Sequence, residues 1–383
     1  MADTALRGAS FAELTRVRSR LNVAVVAPSL RILGGQAVQA DRLLRAWKGD
    51  PEVRAWLVPI NPRPPRPFHR ALNVKYVRTI VTQLAYWPLL VRELRHADVV
   101  HVFSASYSSF LLAPLPAVIV AKLLGKPVVM NYRSGEAPDH LRRSAVARAT
   151  LRAVDRNAVP SRFLQDVFAG FGIGAEVIPN IVDTERFAFR RREPLQPHLL
   201  STRNFEGLYN VGCTLRAFAR VQQRCPDASL TLVGAGSQDA RLRALARELG
   251  VRNVTFTGRA SPAEMWRYYT AADVYVQTPD IDNMPSSVLE AYASGCAVVS
   301  TTAGGVPAIL TDGVHGLLAP CGDHGAVAER VLRLLGDEPL ARRLTDAARL
   351  SCDGYQWDSV RMRWLALYRD LARPSALPAP TPA

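Results

Sequence analysis

Leu230-Thr231-Leu232-Val233-Gly234-Ala235-Gly236 is an apolar run closed by glycines, followed by a helical stretch from Ala240 to Leu249 and then Val254-Thr255-Phe256-Thr257-Gly258-Arg259. Strand, glycine turn, helix, strand is the unit of a parallel sheet, and such sheets seat ligands beyond the carboxyl ends of their strands. A length of 383 residues accommodates two domains of this kind. Gly234-Ala235-Gly236 also opens a dinucleotide fingerprint, but Asp239 occupies the third glycine position, which argues against a nicotinamide enzyme.

Downstream, Asp282-Asn283-Met284-Pro285-Ser286-Ser287-Val288-Leu289-Glu290 runs to Gly295, then Ala297-Val298-Val299-Ser300 and Gly304-Gly305-Val306-Pro307. This reads as a loop with one carboxylate, a helix opened by Pro285 and carrying a second, a glycine stop, and a buried strand. Backbone amides in the first helical turn, near Ser286 and Ser287, have no partner within the helix and form an anion site. Amides for phosphate and carboxylates for hydroxyls suit a sugar attached to a diphosphate. An isolated pair of acids would ordinarily be a turn cap and a solvent-facing helix residue; the flanking segments favour the site.

The two acids, eight positions apart, resemble the acid-x7-acid motif of family 4 glycosyltransferases, retaining enzymes of the GT-B fold, with Asp282 where Glu is usual. The resemblance implies an α/β chain of two Rossmann-like domains whose parallel sheets face a central cleft. It implies that Asp282 holds the donor sugar, that Glu290 holds the nucleotide ribose, and that the base lies against backbone at Gly258-Arg259. Asn283, Met284, Pro285, Ser286 and Ser287 then line the donor site. Leu199 to Phe205 matches the family strand whose terminal Arg, here Arg203, grips the diphosphate through a planar guanidinium. The Lys that usually follows is missing; Tyr209-Asn210 stand in its place, with Asn210 as a substitute donor contact.

Two segments of the amino half fit the same family. Leu21 to Ala27 has the composition of a buried first strand, and Gly34-Gly35 precede a helix expected from about Ala37 to Trp47. The resemblance places this glycine pair opposite the donor phosphates. Pro127 to Glu136 is strand then loop, with Arg133 where the family commonly has His near the donor sugar; Arg is longer and permanently charged, so its contact must differ. Arg133 is grouped with Arg203, Asp282 and Glu290 as a candidate catalytic residue. His101, at the end of another strand, is expected to pack there rather than catalyse. Val177-Ile178-Pro179-Asn180-Ile181 resembles the family's link into the second domain.

Composition gives the boundaries: a leader over 1–20, an acceptor-side domain over 21–188, a donor-side domain over 189–354, a returning helix over 355–372 and a Pro- and Ala-rich disordered tail over 373–383. Trp357, Val360, Trp364, Leu365, Tyr368 and Leu371 share one face of the returning helix.

Charge is unevenly placed. Residues 1–196 hold 29 Lys and Arg against 15 Asp and Glu, whereas residues 197–383 hold 19 against 18. Without aromatic-basic interleaving, a zinc finger or a recognition helix, nucleic acid is not the expected partner. A lipid diphosphate or an anionic membrane face suits the excess better, with Arg63, Arg66, Arg70, Lys75 and Arg78 ahead of the apolar run Leu84 to Leu90. The best apolar stretch, Phe110 to Ala121, is too short for a membrane span and contains Pro114 and Pro116. Five dispersed cysteines and no signal core point to a reduced, cytoplasmic setting, peripheral at the inner membrane face if lipid is the acceptor.

Asp280-Ile281-Asp282 spells the Asp-x-Asp pattern of metal-dependent glycosyltransferases of another fold, but the loop is better explained by the helix that follows. No metal and no cofactor is expected. The reading is therefore a retaining, metal-independent glycosyltransferase moving a sugar from a nucleotide-diphosphate sugar to a saccharide or lipid-linked acceptor. Its rivals are a catalytically inactive binding or assembly protein and a nucleotide-sugar epimerase of the same fold.

Overall fold

The computed structural model describes residues 20–31, 34–63 and 75–373. The leader before Arg20, the tail after Arg373, and Arg66 and Arg70 lie outside the described residues.

The chain forms two parallel six-stranded sheets. The first contains β1 (Leu21–Ala27), β2 (Val53–Pro59), β3 (Val99–Ser104), β4 (Val128–Tyr132), β5 (Arg156–Val159) and β6 (Glu176–Val177), in the order β2-β1-β3-β4-β5-β6. The second contains β7 (His198–Ser201), β8 (Ser229–Val233), β9 (Val254–Gly258), β10 (Val274–Val276), β11 (Ala297–Thr301) and β12 (Leu317–Ala319), in the order β12-β11-β10-β7-β8-β9.

Both faces of each sheet are covered, which is why the strands read as continuous apolar runs. Along β1, Ala24 and Val26 enter one core while Val23, Val25 and Ala27 enter another on the opposite face. Along β10, Val274 and Val276 face one core and Tyr275 the other. The period of two places helices on both sides. In the first sheet the winding reverses between β1 and β3, and in the second between β7 and β10, so the loops leaving these strands part and leave a crevice.

The helix Trp357–Leu371 returns to the first domain as its apolar face requires. Val360, Trp364, Leu365, Leu367 and Tyr368 are buried in the core that also holds Val23, Val25 and Trp47. Trp357 meets Trp47 edge-on with ring centroids 4.6 Å apart, and Arg361 bonds Asp50 and Glu52 at 2.7 and 2.9 Å. His101 is fully buried here: its Nδ1 lies 2.6 Å from the Tyr368 hydroxyl and its Nε2 3.0 Å from Asn131 Nδ2. Burial first, and the Arg133 charge second, push its pKa down to about 3, so it is a neutral packing residue as expected.

Candidate functional site

The two domains face each other across a cleft of about 380 Å³ lined from both sides, a size ordinary for a small-ligand site. From the second domain the main element is the helix Ser286–Ser294. Pro285 precedes it in an extended conformation (φ −66°, ψ 114°), and Gly295 ends it at φ +77°, with the Cys296 amide donating back to the Ala291 carbonyl. Ser287 to Ser294 are all buried, so Glu290 is a buried acid rather than a solvent-facing one.

Across the cleft the helix Gly35–Ala46 starts two residues earlier than its sequence suggests, which makes Gly35 its first residue. Side chains built on Gly34 or Gly35 would meet none of the described residues within 4 Å, so the pair keeps space open rather than serving a tight contact. Neither this helix nor the Ser286 helix has a side-chain cap. Two helix N-termini with free first-turn amides therefore line one cleft, and both favour an anion.

The charged groups are paired. Arg203 Nη2 donates to Asp282 Oδ2 at 2.6 Å, and its Nη1 donates to Ser287 Oγ at 3.2 Å. The Arg203 Nε has no protein partner among the described residues. Tyr209, at the position of the expected Lys, lays its ring against this guanidinium, 4.0 Å from Cζ to centroid. The residue in place of a second cation thus orients the first.

Asn210, an expected donor contact, is engaged at the start of a helix. It adopts φ +43°, accepts the Cys213 amide at 3.3 Å as the cap of the helix Val211–Arg224, and donates to Asp280 at 3.2 Å. Its side chain is committed to the helix start, and it is not among the cleft-lining residues. Gly258 also stands behind the lining; its carbonyl accepts the Gly234 amide at 3.0 Å, while Arg259 beside it reaches the exposed rim.

Asp282 is held by its neighbours. Its Oδ1 accepts the Asn283 amide at 2.8 Å and its carbonyl accepts the Gly305 amide at 3.1 Å. A Cβ on Gly304 or Gly305 would lie 2.1 Å from the carbonyl oxygen of Asp282 or Asn283 respectively, so only glycine lets the loop rest there. Asn283 accepts from the Ser161 hydroxyl of the first domain, and Met284 accepts from Asn180 Nδ2 at 2.7 Å.

Arg42 and Gln39 are functional candidates that sequence reasoning missed. Arg42 Nη2 lies 2.5 Å from Glu290 Oε1, and Gln39 Nε2 donates to Ser286 Oγ at 2.9 Å. Their signal was helical spacing: positions 35, 39 and 42 share the face that begins at the glycine pair. Arg133 lines the cleft at the end of β4, where its Nη1 donates to Asn131 Oδ1 at 3.2 Å and its guanidinium sits 5.3 Å above the Phe103 ring. The structure thus brings Gly34, Gly35, Arg133, Arg203, Arg259, Asp282 to Ser287 and Glu290 into one cleft and leaves Asn210 and Gly258 behind it.

Residues 33–186 match the model described as Glycosyltransferase Family 4, and residues 183–351 match that of Glycosyl transferases group 1. The sulfoquinovosyl transferase SQD2 of Arabidopsis thaliana is 26% identical over 75% of this chain and 60% of its own length, so the chain spans less than two thirds of that relative. A phosphatidyl-myo-inositol mannosyltransferase of Mycobacterium tuberculosis is 24% identical over 92% of this chain and 97% of its own. The solved structure of Anabaena HepE in complex with UDP-glucose superposes with a TM-score of 0.70 at 16% identity, covering 92% of this chain and all of that one, which establishes the GT-B fold. With the two family models together running over residues 33–351, the chain belongs to family 4 of the glycosyltransferases.

Proposed function

We propose that the protein is a retaining, metal-independent glycosyltransferase that moves a sugar from a nucleotide-diphosphate donor to a saccharide or lipid-linked acceptor. The observation that carries this reading is the pair of uncapped helix N-termini, at Gly35 and Ser286, lining one cleft with Arg203. Free amides, two helix dipoles and a guanidinium with an unused Nε suit the leaving diphosphate, whose charge grows as the glycosidic bond breaks. Glu290 and Asp282 then serve the ribose and the sugar, as the family resemblance implies. The departing phosphate takes the acceptor proton, so no acid and base pair is required.

Metal independence is supported by what holds the Asp-x-Asp carboxylates. Asp282 is paired with Arg203, and Asp280 accepts from Asn210. A lipid-linked acceptor is supported by the helix Lys75–Leu94, whose Val77, Ile80, Leu84, Trp87 and Val91 form an exposed apolar stripe at alternating three- and four-residue spacing. Leu111 and Leu112 extend it, because Gln83 of this helix bonds the Leu112 carbonyl at 2.8 Å. No described helix is long and apolar enough to cross a membrane. Contact with a bilayer would therefore be interfacial.

Binding is the direct test. Nucleotide diphosphates should raise the unfolding temperature, and Arg203→Ala should weaken diphosphate binding more than nucleoside binding. Equal losses for both ligands would remove Arg203 from the phosphate site. For the acceptor, sedimentation with anionic vesicles should fall on Ile80→Glu with Leu84→Glu; unchanged sedimentation would favour a soluble acceptor.

A further inference from the structure

Among the described residues four arginines line the cleft: Arg42, Arg133, Arg203 and Arg259. Arg42 is paired with Glu290 and Arg203 with Asp282, while Arg259 sits at the exposed rim where water screens it. Arg133 differs from all three. No carboxylate among the described residues lies within ion-pair distance of it, and its contacts are a neutral amide oxygen and an aromatic face. Burial draws its pKa down to about 9, and its charge is felt as repulsion at His101. A half-buried cation without a counter-charge is costly, and here the open side is the cleft itself.

Position along the cleft decides which part of a ligand it meets. The Gly34-Gly35 loop follows β1, and Gln39 and Arg42 of the helix after it reach Ser286 and Glu290. The loop after β4 lies against Asp282 instead: a Cβ on Gly135 would stand 3.0 Å from the Asp282 carbonyl carbon. In the sheet β4 is two strands from β1, roughly 9 to 10 Å at ordinary strand spacing. A diphosphate seated at the two helix N-termini thus leaves Arg133 beside the sugar end of the donor and the incoming acceptor.

We propose that Arg133 is the seat of a second anionic group, a carboxylate, phosphate or sulfonate carried on the transferred sugar or on the acceptor next to it. This rests on the nucleotide-sugar reading above. A planar guanidinium backed by Asn131 and Phe103 presents its free N–H groups in the fork geometry that matches such an oxyanion. A neutral hexose joined to a neutral acceptor would leave the charge unpaired through the whole reaction.

The experiment measures binding to the wild-type protein, Arg133→Gln and Arg133→Lys. The donor-side probes are UDP, UDP-glucose and UDP-glucuronate with the matching GDP, GDP-mannose and GDP-mannuronate series; the acceptor-side probes are glucose and glucose 6-phosphate with nucleotide diphosphate present. The wild type should bind the anionic member of one pair at least tenfold more tightly than the neutral member, which also identifies the side that carries the charge. Arg133→Gln should abolish that preference while changing nucleotide diphosphate affinity less than twofold, and Arg133→Lys should keep part of it. An equal loss of diphosphate affinity in Arg133→Gln would assign Arg133 to the diphosphate and overturn the proposal, as would no anionic preference on either side. No binding of any nucleotide diphosphate by the wild type would instead overturn the parent reading, and this one with it.

Discussion

Arg203 and Asp282 meet at 2.6 Å on the second-domain side of the cleft, with side-chain exposures of only 10% and 13%. Each neutralises the other in a partly desolvated setting, so removing one strands its partner. Asp282→Ala should lower transfer at least about 100-fold and lower stability by about 3 kcal/mol. A nucleotide diphosphate should then restore more stability to the variant than it adds to the wild type, because phosphate oxygens take the place of the carboxylate. Thermal unfolding with and without ligand checks this, and equal shifts in the two proteins would contradict it.

The Arg42–Glu290 pair ties the first domain to the acid assigned to the ribose. Arg42→Gln and Glu290→Gln should each weaken nucleoside diphosphate binding, and the double variant should be less impaired than the sum. A double-mutant cycle should return a coupling of about 1 to 3 kcal/mol. Additive losses would mean that Arg42 does not act through Glu290.

Gly305 supports the Asp282 loop from behind, and the Cβ of Gly305→Ala would fall 2.1 Å from the Asn283 carbonyl oxygen. The loop has to move, and a displacement of about 1 Å at a positioned group typically costs on the order of 100-fold in rate. Transfer should therefore drop far more than stability, as read from kcat beside the unfolding midpoint. Retention of full kcat would show that the loop position is not critical.

Asp282, Glu290 and the amides near Ser286 belong to one continuous segment whose proline start, glycine stop and following strand fix its local structure, and they stand together in the cleft. The two-domain parallel architecture was equally legible, because strands buried on both faces leave unbroken apolar runs. Arg42 and Gln39 were not, since a charged and an amide residue on a surface-type helix look ordinary until a second domain is packed on them. The structural role of Asn210 was hidden for a related reason: its φ of +43° and the bond that caps the helix Val211–Arg224 appear only in the folded chain. Tyr209, noted only as a missing Lys, supplies the ring that backs Arg203.

His101 gives a pH signature separate from catalysis. Its folded pKa of about 3 lies below the ordinary value of 6.5, so the folded state favours the neutral ring. The stability this confers is complete above about pH 6.5 and is lost progressively as the pH falls towards 3, at up to about 1.4 kcal/mol per pH unit. His101→Gln, which keeps polar contact with Tyr368 and Asn131, should flatten the slope of unfolding free energy between pH 4 and 6. An unchanged slope would assign the acid sensitivity to other groups.

Transfer itself is assayed by incubating the purified chain, in EDTA, with α-linked UDP- and GDP-sugars and candidate acceptors, and identifying the products by NMR. A retaining, metal-independent transferase should release nucleotide diphosphate and leave an α-linked sugar on the acceptor, with no change on adding magnesium or manganese and loss of turnover in Asp282→Ala. A β-linked product, turnover that appears only when metal is restored, an epimerised donor sugar, or nucleotide binding without turnover of any donor would contradict that reading.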